Sequence, residues 1–204
     1  MLDSKFILGI SGLSRSGKDT FCTLFTEEFP KFSSIPIYID ALAKPLKEEV
    51  QDILLKNFNY DVWTQDTEEK KKIRDFLTIW ADMRRKSTNG LYFINLLKDR
   101  INKIKEKSII LVSDVRFAEY EYDEAHFIKE NGLLIHIEKI IYPNSILQPP
   151  NKFERENDPK LISMSDYKLI WVDKKTCPYQ VNLGEDVKKI IYKLMENEQF
   201  NKFT

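Results

Sequence analysis

Residues Gly12 to Lys18 combine the residue types and the spacing of a loop that binds phosphate. Two glycines stand five positions apart, and a lysine follows the second one directly. Glycine lets the backbone turn tightly and point successive N–H groups at an anion, and a helix starting here adds its positive N-terminus. The sequence therefore predicts a site for the phosphates of ATP, formed by Gly12, Ser14, Arg15, Ser16, Gly17, Lys18, Asp19 and Thr20.

Two carboxylates are candidates for holding Mg²⁺ beside this loop. A loop of this kind usually has Ser or Thr after the lysine, but here Asp19 follows Lys18 and Thr20 comes next. Asp114 ends a second apolar run, 109–112. Because carboxylate oxygens suit Mg²⁺, we predict Mg²⁺ as a cofactor held by Asp19 and Asp114, with Thr20 as a second option for the first of them.

Arginines at three places could stabilise a phosphoryl group during transfer. Arg116 lies two residues beyond Asp114, and Arg155 lies in a segment rich in proline. Arg84 and Arg85 end a long helical pattern, where they either compensate the helix dipole or clamp an acceptor phosphate. We predict catalytic roles for Lys18, Arg116, Arg85 and Arg155.

The apolar patterns place these residues in an α/β fold. Strands are predicted at 5–11, 35–39, 108–114, 133–137 and 167–172, and helices at 17–28, 41–58, 67–86, 90–105 and 118–131. A capping box at 182–185 predicts the start of a last helix. The tail beyond Glu196 is expected to fray. Strands that alternate with helices form an open parallel sheet, whose ligands bind beyond the carboxyl ends of its strands. We expect one domain over 1–204 with a five-stranded parallel sheet.

The segment 140–166 interrupts this pattern. It contains Pro143, Pro149, Pro150 and Pro159 and shows little periodicity. A loop of that length in a compact domain is usually functional or disordered. We predict a lid insertion that carries Arg155 and closes over the substrates.

Composition limits the function classes. The 204 residues carry 32 basic and 32 acidic side chains, and the zero net charge argues against a dedicated nucleic-acid-binding protein. There is no long apolar run and no signal-peptide pattern, and Cys22 and Cys177 show no metal spacing. We expect a cytoplasmic protein with small-molecule partners, no nucleic acid and no membrane; whether it forms a homodimer is open.

Four segments resemble the phage-type deoxynucleoside monophosphate kinases, in the order in which that family has them. They are residues 11–20 (SGLSRSGKDT), 41–47 (ALAKPLK), 114–117 (DVRF) and 166–173 (DYKLIWVD). The resemblance implies a nucleoside-monophosphate-kinase-like P-loop fold and transfer of the ATP γ-phosphoryl group to a deoxynucleoside monophosphate. It also implies an acceptor site formed by Asp40, Lys47, Arg74, Arg84 and Arg85. Phe153-Glu154-Arg155-Glu156 departs from the lid pattern of that family.

Two alternatives stay open. Residues 79–82 (IWAD) and 111–114 (LVSD) are similar to the animal-type phosphomevalonate kinases, which share this architecture. The other alternative is a P-loop protein that binds a nucleotide without being a kinase. A GTPase would need an N-K-x-D guanine motif, and the chain has none.

Overall fold

A parallel sheet with helices on both faces forms the computed structural model, which describes residue 2 and residues 4–141, 145–149, 151–172 and 182–204. The described strands are β1 Lys5–Ser11, β2 Ile37–Asp40, β3 Ser108–Val115, β4 Gly132–Ile141, β5 Ser145–Ile146 and β6 Tyr167–Val172. The helices are α1 Lys18–Glu28, α2 Ala43–Phe58, α3 Thr67–Lys86, α4 Leu91–Ile101, α5 Glu124–Asn131, α6 Lys152–Met164, α7 Leu183–Met195 and α8 Glu198–Phe203.

Strand β1 lies at the centre of the sheet. The five parallel strands follow the spatial order β2-β3-β1-β4-β6, and the short β5 pairs antiparallel with β4. All of β1 is buried, with Ile7 opposite Ile110 of β3 and Gly132 of β4. The predicted α/β class is confirmed, and β1, which precedes the glycine-rich loop, pairs with β3, which carries Asp114. Their carboxyl ends therefore meet at one edge.

The alternation of side chains along β1 divides the core between two layers. Phe6, Leu8 and Ile10 pack with α1, α7 and α8 on one face, while Ile7 packs with α2, α4, α5 and α6 on the other. Helix α8 contradicts the expected frayed tail: Phe200 is fully buried, and its ring packs edge-on against Phe6 at 5.0 Å. The apolar contact fixes a segment whose sequence shows little helical periodicity.

The helix predicted over 118–131 starts only at Glu124. The preceding residues form a turn in which the Asp123 carboxylate accepts the backbone N–H groups of Glu119 at 3.0 Å and Tyr120 at 3.3 Å. Side-chain bonds of this kind compete with the helical backbone pattern. The prediction was therefore wrong for 118–123.

The segment 140–166 is also more regular than its prolines indicate. Strand β4 runs to Ile141, and α6 begins at the N-cap Asn151, whose side chain accepts the N–H of Glu154 at 2.9 Å. Pro159 lies inside this helix, although proline normally interrupts one. Residues 142–144 and 150, with Pro143 and Pro150, lie outside the described residues, as does Cys177.

Among the described helices, none is long and apolar enough to cross a membrane.

Candidate functional site

The loop from Gly12 to Gly17 leaves the buried end of β1 and leads directly into α1. Gly12 and Gly17 have backbone φ values of 132° and 100°, which residues other than glycine rarely adopt. A Cβ on Gly12 would lie 2.2 Å from the carbonyl oxygen of Ile137, and one on Gly17 would lie 2.5 Å from the Trp171 ring. The glycines are therefore required by the close approach of this phosphate loop to β4 and β6.

Lys18 folds back over the phosphate loop. Its ammonium donates to the carbonyl oxygens of Gly12 at 2.7 Å and Leu13 at 2.8 Å, and the residue is only 8% exposed. Burial, and next the charge of Arg116, lowers the pKa of Lys18 to about 8, against the opposing charges of Glu154, Asp19 and Asp114. The lysine is thus held where an added anion would favour its charged form.

The two candidate metal carboxylates have different surroundings. Asp114 accepts the backbone N–H groups of Leu42 at 2.7 Å and Ala43 at 2.8 Å, so it caps the start of α2. Asp19 and Thr20 are exposed on the first turn of α1. The described residues contain no cluster of three or more His, Cys, Asp or Glu side chains that could hold a metal ion. Two carboxylates near Lys18 fit an ion that takes most of its ligands from phosphate and water.

A cavity of about 250 Å³ lies beside the phosphate loop, at the carboxyl end of β3 and against α2, α3 and α6. Its apolar wall consists of Leu42, Ala43, Leu46, Val62, Ile73, Leu77, Ala81, Phe93, Phe117 and Phe153. Its basic side chains are Lys47, Lys70, Arg74 and Arg116. Its other polar lining residues are Thr78, Asp114, Glu124, Asn151 and Glu154.

Three of these four cations form no ion pair within the described part of the chain. Lys47 lies over the Trp63 ring at 5.0 Å, and burial followed by the charge of Lys70 lowers the pKa of Lys47. Lys70 bonds to the neutral side chain of Gln65 at 3.0 Å, and no carboxylate of the described residues lies within 4.0 Å of the Arg74 guanidinium. The charges of Lys70 and Arg116 act to lower the pKa of Lys47, while those of Asp114 and Asp19 act to raise it. Neighbouring cations that repel one another in this way suit an anionic ligand.

Glu124 supports the backbone that carries Arg116. One of its carboxyl oxygens accepts the N–H groups of Arg116 at 2.6 Å and Phe117 at 3.2 Å. Burial, and next the neighbouring Asp123, raises the pKa of Glu124 to about 8. A buried carboxyl that is protonated at neutral pH places little negative charge in the cavity.

The structure brings Lys18, Asp114, Arg116, Lys47 and Arg74 to one edge of the sheet, but it places other predicted residues elsewhere. Asp40 pairs with Arg100 at 2.8 Å, and Arg84 pairs with Glu49 at 3.1 Å. Arg155 is exposed on α6, while the preceding Glu154 faces the site. Sequence reasoning missed Lys70, Glu124 and Glu154; the one available signal was the capping pattern Asn151-x-x-Glu154.

Arg85 is a correction to the expected catalytic and acceptor-binding set. The residue is 1% exposed, its guanidinium binds Asp123 at 2.6 Å and Glu119 at 3.1 Å, and it lies 3.5 Å from the centre of the Phe117 ring. Asp123 is fully buried. Arg85 therefore joins α3 to the turn before α5, outside the cavity.

The chain is similar to known proteins in part of its sequence and in its fold. The family model described as phosphomevalonate kinase matches residues 10–130. No curated protein matches the chain. The solved structure of TT1252 from Thermus thermophilus has a TM-score of 0.50 at 14% identity, covering 94% of this chain and 97% of that one, and it shares the fold. Shikimate kinase from Acinetobacter baumannii, in complex with shikimate, gives 0.46 at 12% identity and 97% coverage of both chains.

The buried ion pair predicts different effects at two adjacent arginines. Arg85→Met leaves the Asp123 carboxylate buried without its partner, so we expect the free energy of unfolding to fall by about 3–5 kcal/mol. Arg84→Met removes a half-exposed pair and should cost less than about 1 kcal/mol. Urea denaturation of both variants measures the difference, and equal losses would contradict the structural role of Arg85.

The lowered pKa of Lys18 predicts how ATP binding depends on pH. The free protein loses the Lys18 proton as pH rises through about 8, whereas bound phosphates favour the ammonium form and raise its pKa. ATP affinity should therefore fall above pH 8, by up to about tenfold per pH unit, with proton uptake on binding. Calorimetry in two buffers of different ionisation enthalpy measures both effects. A flat profile, or the same profile in Lys18→Met, would contradict this assignment.

Proposed function

Because the chain belongs to the phosphomevalonate kinase family, we propose that it transfers the γ-phosphoryl group of ATP to the phosphate of a small acceptor held in the cavity. One observation carries this proposal: the phosphate loop lies beside a cavity lined by four cations, three of which form no ion pair with the described residues. Arg116 belongs to the cavity and lowers the pKa of Lys18 in the loop. Donor and acceptor phosphates would then meet between these two side chains.

The residues that surround the loop have distinct roles in this proposal. Backbone N–H groups of the phosphate loop bind the ATP phosphates, and Lys18 neutralises charge on the β and γ groups. Asp19 and Asp114 would hold Mg²⁺ or its waters, and the ion would neutralise negative charge on the phosphates. Arg116 stabilises the transferring group. Such transfer depends mainly on positioning and charge neutralisation.

An acceptor phosphate would need no strong base to activate it. A phosphate monoester carries about −1.5 to −2 charges at pH 7, so its attacking oxygen is already ionised. What the protein must supply is enough positive charge to hold two anions together. Lys47, Lys70, Arg74 and Arg116 supply that charge from the walls of the cavity.

We propose 5-phosphomevalonate as the acceptor, on the strength of the family match and of the cavity's size and lining. The volume of about 250 Å³ is below the roughly 300–1,000 Å³ of sites for drug-sized ligands. Most of the wall is aliphatic or aromatic, with cations around it. A short aliphatic molecule with a phosphate at one end and a carboxylate at the other would satisfy both features.

A deoxynucleoside monophosphate is the second candidate. It is favoured by the resemblance in residues 166–173, which lie beyond residue 130, where the family match ends. Phe93, Phe117 and Phe153 line the cavity and offer faces on which a base could stack. A base would also need partners for its polar edge, and Thr78 and Asn151 are the uncharged polar side chains among the described lining residues.

An acceptor panel distinguishes these candidates. With ATP and Mg²⁺ present, we expect 5-phosphomevalonate to stimulate ADP release at least tenfold over ATP alone, because a bound acceptor replaces water in the transfer. The parallel reactions contain dGMP, dTMP, dCMP or dAMP, and Lys18→Met is the control for contaminating kinases.

Turnover with a nucleotide and none with 5-phosphomevalonate would decide for the second candidate. Slow ATP hydrolysis that no phosphate-bearing acceptor stimulates would overturn the kinase proposal and favour a nucleotide-binding protein of another class.

A further inference from the structure

The carboxylate of Glu154 lies where an anionic ligand of the phosphate loop would bind. One oxygen accepts the backbone N–H of Ser14 at 2.7 Å. The other lies 3.3 Å from the Arg116 guanidinium and 3.2 Å from the Asn151 amide nitrogen. The residue is 9% exposed, and its charge acts to raise the pKa of Lys18 more than that of any other carboxylate.

Helix α6 holds this carboxylate in place through contacts of its own. Asn157, one turn further along, is fully buried. Its carbonyl oxygen accepts the N–H of Ala118 at 3.1 Å, and its amide donates to Glu119 at 3.1 Å. At the helix start, the Asn151 side chain accepts the N–H of Glu154. The Glu154 carboxylate is therefore positioned by an ordered helix that packs against the turn after β3.

A carboxylate and an ATP phosphate cannot both occupy this position. The Ser14 N–H can donate a short bond to one of them, and two anions a few ångströms apart repel strongly in a partly buried site. We propose that, in the protein without nucleotide, the Glu154 carboxylate occupies the anion-binding position of the phosphate loop. ATP displaces this carboxylate, and the displacement releases the start of α6. The inference rests on the proposed function only in that the loop binds the phosphates of ATP.

Displacement of Glu154 by ATP would also break the ion pair between Glu154 and Arg116. Within the described residues, Glu154 is the one carboxylate that pairs with the Arg116 side chain. Once Glu154 leaves, the Arg116 guanidinium is free to bind the transferring group. Nucleotide binding would thus free the arginine only when a phosphate is present for it to bind.

Two substitutions on the same helix, each of which removes one negative charge, test the displacement. Glu154→Gln keeps the shape of the side chain and removes its charge, so its bond to Ser14 should be about half as strong. We expect calorimetry to show that this variant binds tripolyphosphate about five- to tenfold more tightly than the unmodified protein. Glu156→Gln makes the same charge change at an exposed residue whose ion-pair partner is Lys152. The affinity of this control variant for tripolyphosphate should stay within about twofold of that of the unmodified protein.

Hydrogen exchange on the unmodified protein gives a second readout that needs no variant. Tripolyphosphate should speed exchange of the backbone amides at 152–157, and unchanged or slower exchange there would overturn the release of α6. Equal or weaker binding by Glu154→Gln would overturn the displacement while leaving the proposed function in place. If neither the unmodified protein nor either variant binds tripolyphosphate, the phosphate loop does not have the role assigned to it in the proposed function. This inference would then be wrong as well.

Discussion

The close approach of the phosphate loop to β4 and β6 is the constraint on which the rest of the site depends. At Gly12 the backbone passes so near the Ile137 carbonyl that no Cβ fits, and at Gly17 the Trp171 ring fills the equivalent space. The loop therefore packs against β4 and β6 instead of standing free in solvent. Its N–H groups and the start of α1 are fixed before any ligand arrives, which lowers the cost of ordering them around phosphate.

The neighbouring β3 extends the same edge toward the cavity. Asp114 caps α2, the Glu124 carboxyl holds the backbone of Arg116 and Phe117, and the Arg85–Asp123 pair fixes the turn that follows. The buried Asp123 and Glu124 carboxyls both accept hydrogen bonds from specific partners, as buried polar groups require, while Nη1 of Arg85 has no hydrogen-bond partner among the described residues. Together they hold one catalytic candidate, Arg116, between the loop and the cavity.

Local patterns predicted most of the fold and part of the site. The spacing of Gly12, Gly17 and Lys18 locates the phosphate loop because its chemistry is continuous in sequence. The chain gives no comparable signal for Arg84 and Arg85, since successive helical positions point in different directions and the partner Asp123 lies 38 residues away. Helix α6 was missed because Pro159 argues against a helix, and Glu154 was therefore placed in a loop. Long-range packing decides each of these positions.

The proposed position of the acceptor, in the cavity beside the phosphate loop, can be tested by steady-state kinetics of Arg74→Met. Arg74 lines the cavity, and losing one charge-assisted contact costs about 1.5–3 kcal/mol. We therefore expect the KM for 5-phosphomevalonate to rise at least about tenfold, while the KM for ATP stays within about twofold. Arg84→Met, whose arginine lies outside the cavity and pairs with Glu49, should change neither KM. An unchanged acceptor KM in Arg74→Met, or a larger effect of Arg84→Met, would show that the acceptor does not bind against Arg74.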